Sequence, residues 1–184
     1  GIVFAGSMLP APLREKVQEQ LCPHIYEYYG MQETGALTVS TPEDRKFRPD
    51  SIGAPLAFAD VRIERPDGSL AEPGEIGEIV GRSPATVTQY FDNPAKSAET
   101  FRGGYVHTGD LGMMDEEGFV FIRGRLKDMI VTGGQNVHAA EVEEILLALP
   151  GVADCAVFGL PDDMWGERVS VLIVRDSAQG DLTE

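Results

Sequence analysis

A polar segment bracketed by two glycines follows an apolar and aromatic run that ends at Tyr29. In Gly30-Met-Gln-Glu-Thr-Gly35, Gly30 allows another group to approach the backbone closely, and the Glu33 carboxylate is a ligand type that Mg²⁺ accepts. The ring of Tyr29 can stack on a nucleotide base, and the amide of Gln32 can donate a hydrogen bond. These residue types are compatible with a nucleotide–magnesium site, and they fit equally well a turn at a strand end with a solvated Glu33.

A second stretch with a glycine pair runs from Gly124 to Glu143. It begins with a polar connector, residues 124–128, and continues with a short apolar strand, residues 129–132, which leads into Gly133-Gly134. A helix is predicted to begin at Glu141, because four apolar residues are spaced for one helical face: Val142, Ile145, Leu146 and Leu149. Taken alone, this pattern predicts a turn between a strand and a helix.

The elements that must position the first motif form an α/β unit. Ile2 to Ala5 reads as a buried strand, and residues 13–21 carry Leu13, Val17 and Leu21 at the spacing of an amphipathic helix. A second strand is predicted from Ile25 to Tyr29. A strand, a helix and a second strand followed by a polar loop form the arrangement in which ligands bind at the carboxyl edge of a sheet.

Short β-rich runs alternate with turns over residues 47–123. Asp67-Gly68 is a strong hairpin signal, and Asp115 to Gly118 predicts a turn into the strand Phe119 to Ile122. Strands predicted at Val152 to Phe158 and Val169 to Val174 flank a turn. Within residues 47–123, several short strands at this spacing indicate a small barrel or meander.

The composition restricts the partners. The 184 residues carry 15 basic and 30 acidic side chains, for a net charge of −15. Nucleic acids and anionic membranes require clustered Lys and Arg, so neither is predicted as a partner. No apolar run has membrane-span length and no signal peptide is visible. The two cysteines, Cys22 and Cys155, lack metal-site spacing and predict reduced thiols in the cytoplasm.

Three motifs in order resemble the acyl-adenylating (AMP-binding) superfamily, and most of all its acyl- and aryl-CoA ligases. Tyr29 to Gly35 is similar to the Tyr-Gly-x-Thr-Glu motif, Gly104-Tyr-Val-His-Thr-Gly-Asp110 to the Tyr-x-Thr-Gly-Asp motif, and residues 124–143 to the hinge motif. Ala5 to Pro10 resembles a turn that lies against the adenine and the acyl pocket. One departure is Gln32, which stands where the family usually has a Thr that contacts the α-phosphate; the Thr34 hydroxyl is a weaker substitute.

The resemblance implies a role for each matching residue. Asp110 would accept hydrogen bonds from the ribose hydroxyls, and Glu33 would bind Mg²⁺. The implied nucleotide-binding set is Gly6, Ser7, Tyr29, Gly30, Met31, Gln32, Asp110 and Arg125. The implied catalytic set is Glu33, Gln32 and the hinge residue Lys127, and the implied CoA-binding set is Gly133, Gly134 and Trp165. Without the resemblance, Lys127 is a solvated linker charge and Trp165 a half-buried aromatic residue.

The implied fold is α/β (mixed α+β) in four parts. These are the end of an α/β nucleotide-binding subdomain over residues 1–46, a β-rich, barrel-like subdomain over 47–123, a hinge at 124–128 and a partial α+β C-terminal domain over 129–184. The region that includes Gly74 to Phe101 matches a structural part of the family, so no chemistry is assigned to it. His107 occupies a variable position and is interpreted as a surface or packed residue.

The implied activity is that of an ATP-dependent carboxylic acid–CoA ligase. ATP (leaving as AMP), Mg²⁺ and CoA are the expected cofactors, and a small-molecule carboxylate is the expected substrate. The chain is expected to be part of a longer protein and inactive alone, because the family's phosphate loop and late catalytic Lys are absent from it. A carrier-protein-loading adenylation domain and a non-catalytic nucleotide-binding protein are the alternatives. The acid and the oligomeric state are left open.

Overall fold

The computed structural model describes residues 1–6, 9 and 11–176. It has a mixed α/β fold, as the sequence predicts, and the chain divides into two compact units, Gly1–Ile122 and the residues from Arg123 onward. Ser7, Met8 and Pro10 lie outside the described residues. So do Asp181 to Glu184, whose sequence is typical of a helix N-cap followed by an acidic first turn.

The first unit begins with a four-stranded sheet of order β1-β2-β3-β4. Strand β1 pairs parallel to β2, and β2–β3 and β3–β4 are antiparallel. The elements are β1 (Ile2–Phe4), α1 (Ala11–Gln20), β2 (Ile25–Met31), β3 (Gly35–Ser40), α2 (Asp44–Phe47) and β4 (Ala54–Pro55). The predicted strand–helix–strand order is confirmed, but the polar segment after it is a hairpin turn, because the chain reverses at once into β3.

Helix α1 differs from its predicted amphipathic pattern. Leu13 and Leu21 are 50% and 74% exposed, whereas Arg14 is only 9% exposed. The guanidinium group of Arg14 donates a hydrogen bond to the Leu9 carbonyl at 2.8 Å and lies 3.6 Å from the Glu27 carboxylate. A specific ion pair therefore fixes which face of the helix is buried, and apolar periodicity cannot reveal it.

A five-stranded antiparallel sheet follows in the chain. The strand order is β5-β6-β8-β7, and β9 also pairs with β8. The elements are β5 (Asp60–Glu64), β6 (Gly77–Arg82), α3 (Pro94–Thr100), β7 (Phe101–Arg102), β8 (Tyr105–Met114) and β9 (Val120–Arg125). Turns occur at Asp67-Gly68 and Asp115–Gly118 as predicted, since Gly68 N and Gly118 N donate to Arg65 O and Asp115 O.

The two sheets of the first unit share a hydrophobic core. Leu37 of β3 and Ile79 of β6 are fully buried in one cluster with Ile52, Val61, Ile63 and Val120. Gly81 permits this contact, because a Cβ atom there would lie 2.5 Å from the Leu37 side chain. The shared core therefore fixes the two sheets, and the turns that leave their strands, relative to each other.

The second unit contains a four-stranded antiparallel sheet of order β11-β10-β13-β12. A 3₁₀ turn at Leu126–Asp128 precedes it. The elements are β10 (Met129–Thr132), β11 (Gln135–His138), α4 (Ala139–Leu147), β12 (Val152–Asp162) and β13 (Gly166–Arg175). Ile130, Ala139 and Val157 form its core, and Val142 and Leu146 pack on them.

Three local predictions for the second unit need correction. Gly133-Gly134 joins two strands rather than a strand and a helix, because Gln135–His138 pairs with β10. Helix α4 begins at Ala139 rather than Glu141, and Ile145 and Leu149 of its predicted face are 68% and 48% exposed. The predicted turn after Phe158 is mostly strand, since β12 continues to Asp162 before the chain turns.

Candidate active site

The turn between β2 and β3 is held closed by Thr34. Its hydroxyl accepts a hydrogen bond from Met31 N at 3.1 Å and donates one to Gly35 O at 2.8 Å, and the residue is fully buried. A Cβ atom at Gly30 would lie 2.0 Å from Gly35 O, so the turn requires glycine there. Because both hydrogen bonds of the Thr34 hydroxyl are internal, it cannot substitute for a phosphate-binding threonine, and that suggestion from the sequence is wrong.

Glu33 lies in this turn and is oriented by a residue far away in the chain. The Tyr90 hydroxyl donates a hydrogen bond of 2.7 Å to Glu33 Oε1. The Glu33 backbone carbonyl accepts a second hydrogen bond, of 2.9 Å, from Val87 N. Both the side chain and the main chain of Glu33 are therefore fixed by the segment that follows β6.

Tyr29 and Asp110, two predicted nucleotide-binding residues, are in direct contact. The Tyr29 hydroxyl donates a hydrogen bond of 2.8 Å to Asp110 Oδ2 across 81 positions of the sequence. Both side chains are half-buried. An aromatic ring and a carboxylate that accepts hydrogen bonds are thus placed side by side, as the binding of a base and its ribose requires.

Asp110 stands after a turn within β8 that β6 holds. The Thr108 hydroxyl donates to Ile79 O at 2.7 Å and accepts from Asp110 N at 3.0 Å. Gly109 adopts φ +72°, and its amide donates to Glu78 Oε1 at 3.0 Å. Contacts with β6 therefore fix the backbone at Asp110, while the Tyr29 hydroxyl contacts its carboxylate.

His107 belongs to this support and not to a catalytic pair. Its Nδ1 lies 2.8 Å from Glu78 Oε2, and its Nε2 lies 3.9 Å from Glu64 Oε2. The three side chains are 11%, 14% and 18% exposed. His107 therefore helps to hold Glu78, which in turn holds Gly109.

The chemistry around Glu33 is compatible with a magnesium ion bound mainly by phosphate. In the part of the chain that the structure describes, Glu33 Oε2 accepts no hydrogen bond, and no group of three or more His, Cys, Asp or Glu residues could hold a metal ion. Mg²⁺ is commonly bound by one or two carboxylates together with substrate phosphates. One braced carboxylate with a second, available oxygen fits that mode.

The second unit brings Gly133 and Trp165 together. Gly133 N donates a hydrogen bond of 2.8 Å to Trp165 O, and a Cβ atom at Gly133 would lie 2.8 Å from the indole ring. Trp165 is 55% exposed. Two of the three predicted CoA-binding residues thus form one surface, whereas Gly134, at φ +79°, has open space around it.

An open groove of about 690 Å³ lies along this surface. Thr132, Gly133, Gln135, Asp162, Trp165, Arg168 and Val169 line it. Hydrogen bonds from the backbone amides of Met164 and Trp165 lower the pKa of the Asp162 carboxyl. The groove therefore offers an exposed indole face, an anionic carboxylate and the Arg168 guanidinium to a ligand.

The remaining predicted residues occupy exposed or strand-end positions. Gly6 adopts φ +93° with open space around it, Met31 ends β2, and Gln32 is exposed in the turn. In the second unit, Arg125 is exposed at the end of β9 and Lys127 is exposed in the 3₁₀ turn. Their roles stay predictions, as do those of the whole set.

Tyr90 and Glu78 are functional candidates that the sequence did not reveal. Each forms a hydrogen bond with a motif residue that lies 31 or more positions away in the sequence. The sequence around Tyr90 matched a family region, but the match carried no information on which side chain it contacts. Only the fold shows that these residues support Glu33 and Gly109.

Comparisons with known proteins identify the family to which the chain is similar. The family model described as AMP-binding enzyme matches residues 1–91, and the model described as AMP-binding enzyme C-terminal domain matches residues 141–184. The 2-succinylbenzoate–CoA ligase of Bacillus cereus (strain ZK / E33L) is 38% identical over 184 residues, which are 100% of this chain and 37% of that protein. The chain therefore spans little more than a third of the length of such curated relatives.

Solved structures show the same architecture. The o-succinylbenzoate CoA synthetase of Bacillus subtilis in complex with its acyl-adenylate intermediate matches with a TM-score of 0.84 and 36% identity, over 95% of this chain and 36% of that chain. The same enzyme in complex with ATP and magnesium ion matches with a TM-score of 0.81 and 36% identity, over 94% of this chain and 36% of that chain.

Proposed function

The chain belongs to the AMP-binding enzyme family, and on that premise we propose that it supplies the nucleotide-binding and hinge portion of an AMP-forming carboxylic acid–CoA ligase. The observation that carries the proposal is the contact between Tyr29 and Asp110. The Tyr29 hydroxyl lies 2.8 Å from Asp110 Oδ2, and the turn that carries Glu33 comes directly after the strand of Tyr29.

The proposed reaction has two steps. The substrate carboxylate attacks the α-phosphorus of ATP, which gives an acyl-adenylate and releases pyrophosphate. The CoA thiol then attacks the acyl carbon, the thioester forms, and AMP leaves. Such phosphoryl chemistry depends on positioning and on charge neutralisation, which Mg²⁺ supplies when bound.

In the first step, residues of the first unit hold the nucleotide. Tyr29 stacks on the adenine, Asp110 accepts hydrogen bonds from the ribose hydroxyls, and Glu33 offers its unbonded oxygen to the Mg²⁺ that accompanies the phosphates. Gln32, exposed at the tip of the turn, donates its amide hydrogen to the α-phosphate in place of a hydroxyl. Gly6, Ser7, Gly30 and Met31 are the other residues proposed to bind the nucleotide.

In the second step, residues of the second unit receive CoA. The exposed indole of Trp165 stacks on its nucleotide, and Gly133 and Gly134 leave room for the pantetheine arm. Arg125 binds the ribose or phosphate, and Lys127 serves as the hinge between the two steps. The contact between Gly133 and Trp165 supports this assignment, because it joins two residues that were proposed for the same ligand.

The first acid to test is 2-succinylbenzoate, the substrate in the printed name of the Bacillus cereus relative. Carboxylate-dependent ATP–pyrophosphate exchange on the gene product that contains this chain is the decisive assay. Exchange with an aryl acid, followed by thioester formation with free CoA, is the expected result.

Two other outcomes separate the alternatives. Exchange without transfer to free CoA would favour a carrier protein as the acceptor. ATP binding without exchange for any aryl, short-chain or long-chain acid would favour a non-catalytic nucleotide-binding protein. In that case Gln32→Thr is the informative variant, since it restores the hydroxyl that the family usually has at this position.

A further inference from the structure

The segment from Ser83 to Tyr90 is connected to the Glu33 turn at three points. Tyr90 donates to the Glu33 carboxylate at 2.7 Å, Val87 N donates to the Glu33 carbonyl at 2.9 Å, and the Ser83 hydroxyl donates to the Thr34 carbonyl at 2.5 Å. The turn that carries the predicted Mg²⁺ carboxylate is therefore held from outside its own hairpin.

Tyr90 is itself held in place by helix α3 and by Phe101, which follows it. Its backbone N donates to the Ser97 hydroxyl at 2.9 Å, and its ring lies 5.2 Å from the ring of Phe101 at an angle of 56°. Asn93 caps α3 by accepting from Lys96 N at 3.1 Å. The hydroxyl is thus fixed by packing and by backbone contacts before it meets Glu33.

From this geometry we propose that Tyr90 is a positioning residue for magnesium–nucleotide binding, which acts by restricting the Glu33 carboxylate to one orientation. The inference rests on the proposed function. Tyr90 holds Oε1 of Glu33 and thereby directs Oε2 toward the ligand. A carboxylate without this hydrogen bond samples several side-chain rotamers. Metal binding must then order the side chain, and the entropy lost in doing so weakens the affinity.

The proton of the hydrogen bond stays on Tyr90 at neutral pH. The hydrogen bond to Glu33 is the largest cause of a raised pKa for the Tyr90 phenol, and burial of the ring acts in the same direction. The Tyr90 hydroxyl is therefore the donor of this hydrogen bond.

The test measures ATP affinity by titration calorimetry, with saturating Mg²⁺ and with EDTA, on the gene product that contains this chain. Tyr90→Phe keeps the ring and its packing on Phe101 but removes the donor. We expect it to weaken Mg·ATP binding about 2- to 10-fold, the range of one hydrogen bond, and to leave the affinity for metal-free ATP unchanged.

Two further variants make the result specific. Tyr105→Phe is the matched control, because its hydroxyl also donates to a carboxylate, that of Asp60, but outside the candidate site. It should change neither affinity. In a Glu33→Gln background, Tyr90→Phe should have no additional effect on Mg·ATP binding, because the carboxylate that Tyr90 orients is already absent.

Each outcome bears on the proposal in a different way. An unchanged Mg·ATP affinity in Tyr90→Phe, an equal loss with and without Mg²⁺, or full additivity with Glu33→Gln would overturn the positioning role while leaving the proposed function intact. Absence of ATP binding by the unmodified protein would instead overturn the proposed function, and the inference with it.

Discussion

The hydroxyl of Tyr29 donates a hydrogen bond of 2.8 Å to the carboxylate of Asp110. Tyr29 lies in β2, the first strand of a β-hairpin, and Asp110 follows Gly109, which has a positive φ, within β8. The contact therefore connects two predicted motifs, whose residues we propose to bind the base and the ribose of ATP.

Removal of the Asp110 carboxylate should reduce nucleotide affinity more than removal of the Tyr29 hydroxyl. Asp110→Asn removes charge-assisted acceptors and should weaken ATP binding about 10-fold or more, whereas Tyr29→Phe keeps the stacking ring and should cost roughly 2- to 10-fold. The check is calorimetry with ATP and 2′-deoxy-ATP. The unmodified protein should prefer ATP and Asp110→Asn should not; an equal preference in both would show that Asp110 does not contact the ribose.

A buried cluster of one acid and two arginines holds α1 and α2 against β2. Glu27 forms ion pairs with Arg14, at 3.6 Å, and with Arg45, and its Oε1 accepts from Leu9 N at 2.8 Å. The arginine side chains are 10% and 6% exposed. Burial lowers the pKa of Arg45 and outweighs the opposing attraction of Glu27.

Neutralising the acid and removing one arginine should lower the free energy of unfolding by different amounts. Glu27→Gln leaves two buried guanidinium groups without a counter-charge and should lower the free energy of unfolding by about 3–5 kcal/mol. Arg45→Met leaves Glu27 paired with Arg14 and should cost less than half of that. Urea unfolding of both variants is the measurement. Equal losses would indicate that packing, and not charge balance, determines the stability of the cluster.

The acid dependence of stability should have a contribution from Asp60. Its hydrogen bond from Tyr105 is the largest cause of a lowered pKa, and Arg62 and Arg82 act in the same direction. Because the folded pKa lies below the unfolded value of about 3.9, the contribution is fully present above that value. It is lost as the pH falls through the folded pKa.

Asp60→Asn removes this contribution and should reduce the pH dependence of stability below about pH 4. The measurement is the urea midpoint between neutral pH and pH 3. The stability difference between the unmodified protein and the variant should shrink as the pH falls. Asp50→Asn, an identical change at an exposed position, is the control. A constant difference for Asp60→Asn would exclude the linkage.

Much of the fold could be predicted because its signals are local. The order of strand, helix and strand follows from apolar periodicity, and the turns at Asp67-Gly68 and Asp115–Gly118 follow from turn chemistry. Strand β11 was missed because Gln135–His138 has little apolar character of its own and is a strand through pairing with β10. Tertiary pairing overrides local propensity in such segments.

The candidate site could be predicted only in its motif residues. Tyr29, Glu33 and Asp110 stand in recognisable patterns, but their partners are set by contacts across the fold. Tyr90 reaches Glu33 over 57 positions, and Glu78 reaches Gly109 over 31. No periodicity encodes such pairs. The exposed Leu13 and buried Arg14 in α1 show the same limit, since an ion pair decided which side of the helix is buried.

Trp165, the single tryptophan, gives a direct optical test of the groove in the second unit. A Cβ atom at Gly133 would lie 2.8 Å from its ring, whereas one at Gly134 would meet open space; both residues have positive φ, +57° and +79°. Alanine at either position should cost about 1–2 kcal/mol of stability through backbone strain. Gly133→Ala alone should also displace the indole.

The measurement is tryptophan emission of the two variants, with and without CoA. Gly133→Ala should shift the emission maximum and weaken quenching by CoA, whereas Gly134→Ala should keep the emission maximum of the unmodified protein. An unchanged emission maximum in Gly133→Ala would mean that the ring adapts without cost. Absence of quenching by CoA in the unmodified protein would remove Trp165 from the proposed CoA site, because a stacked indole must respond to its ligand.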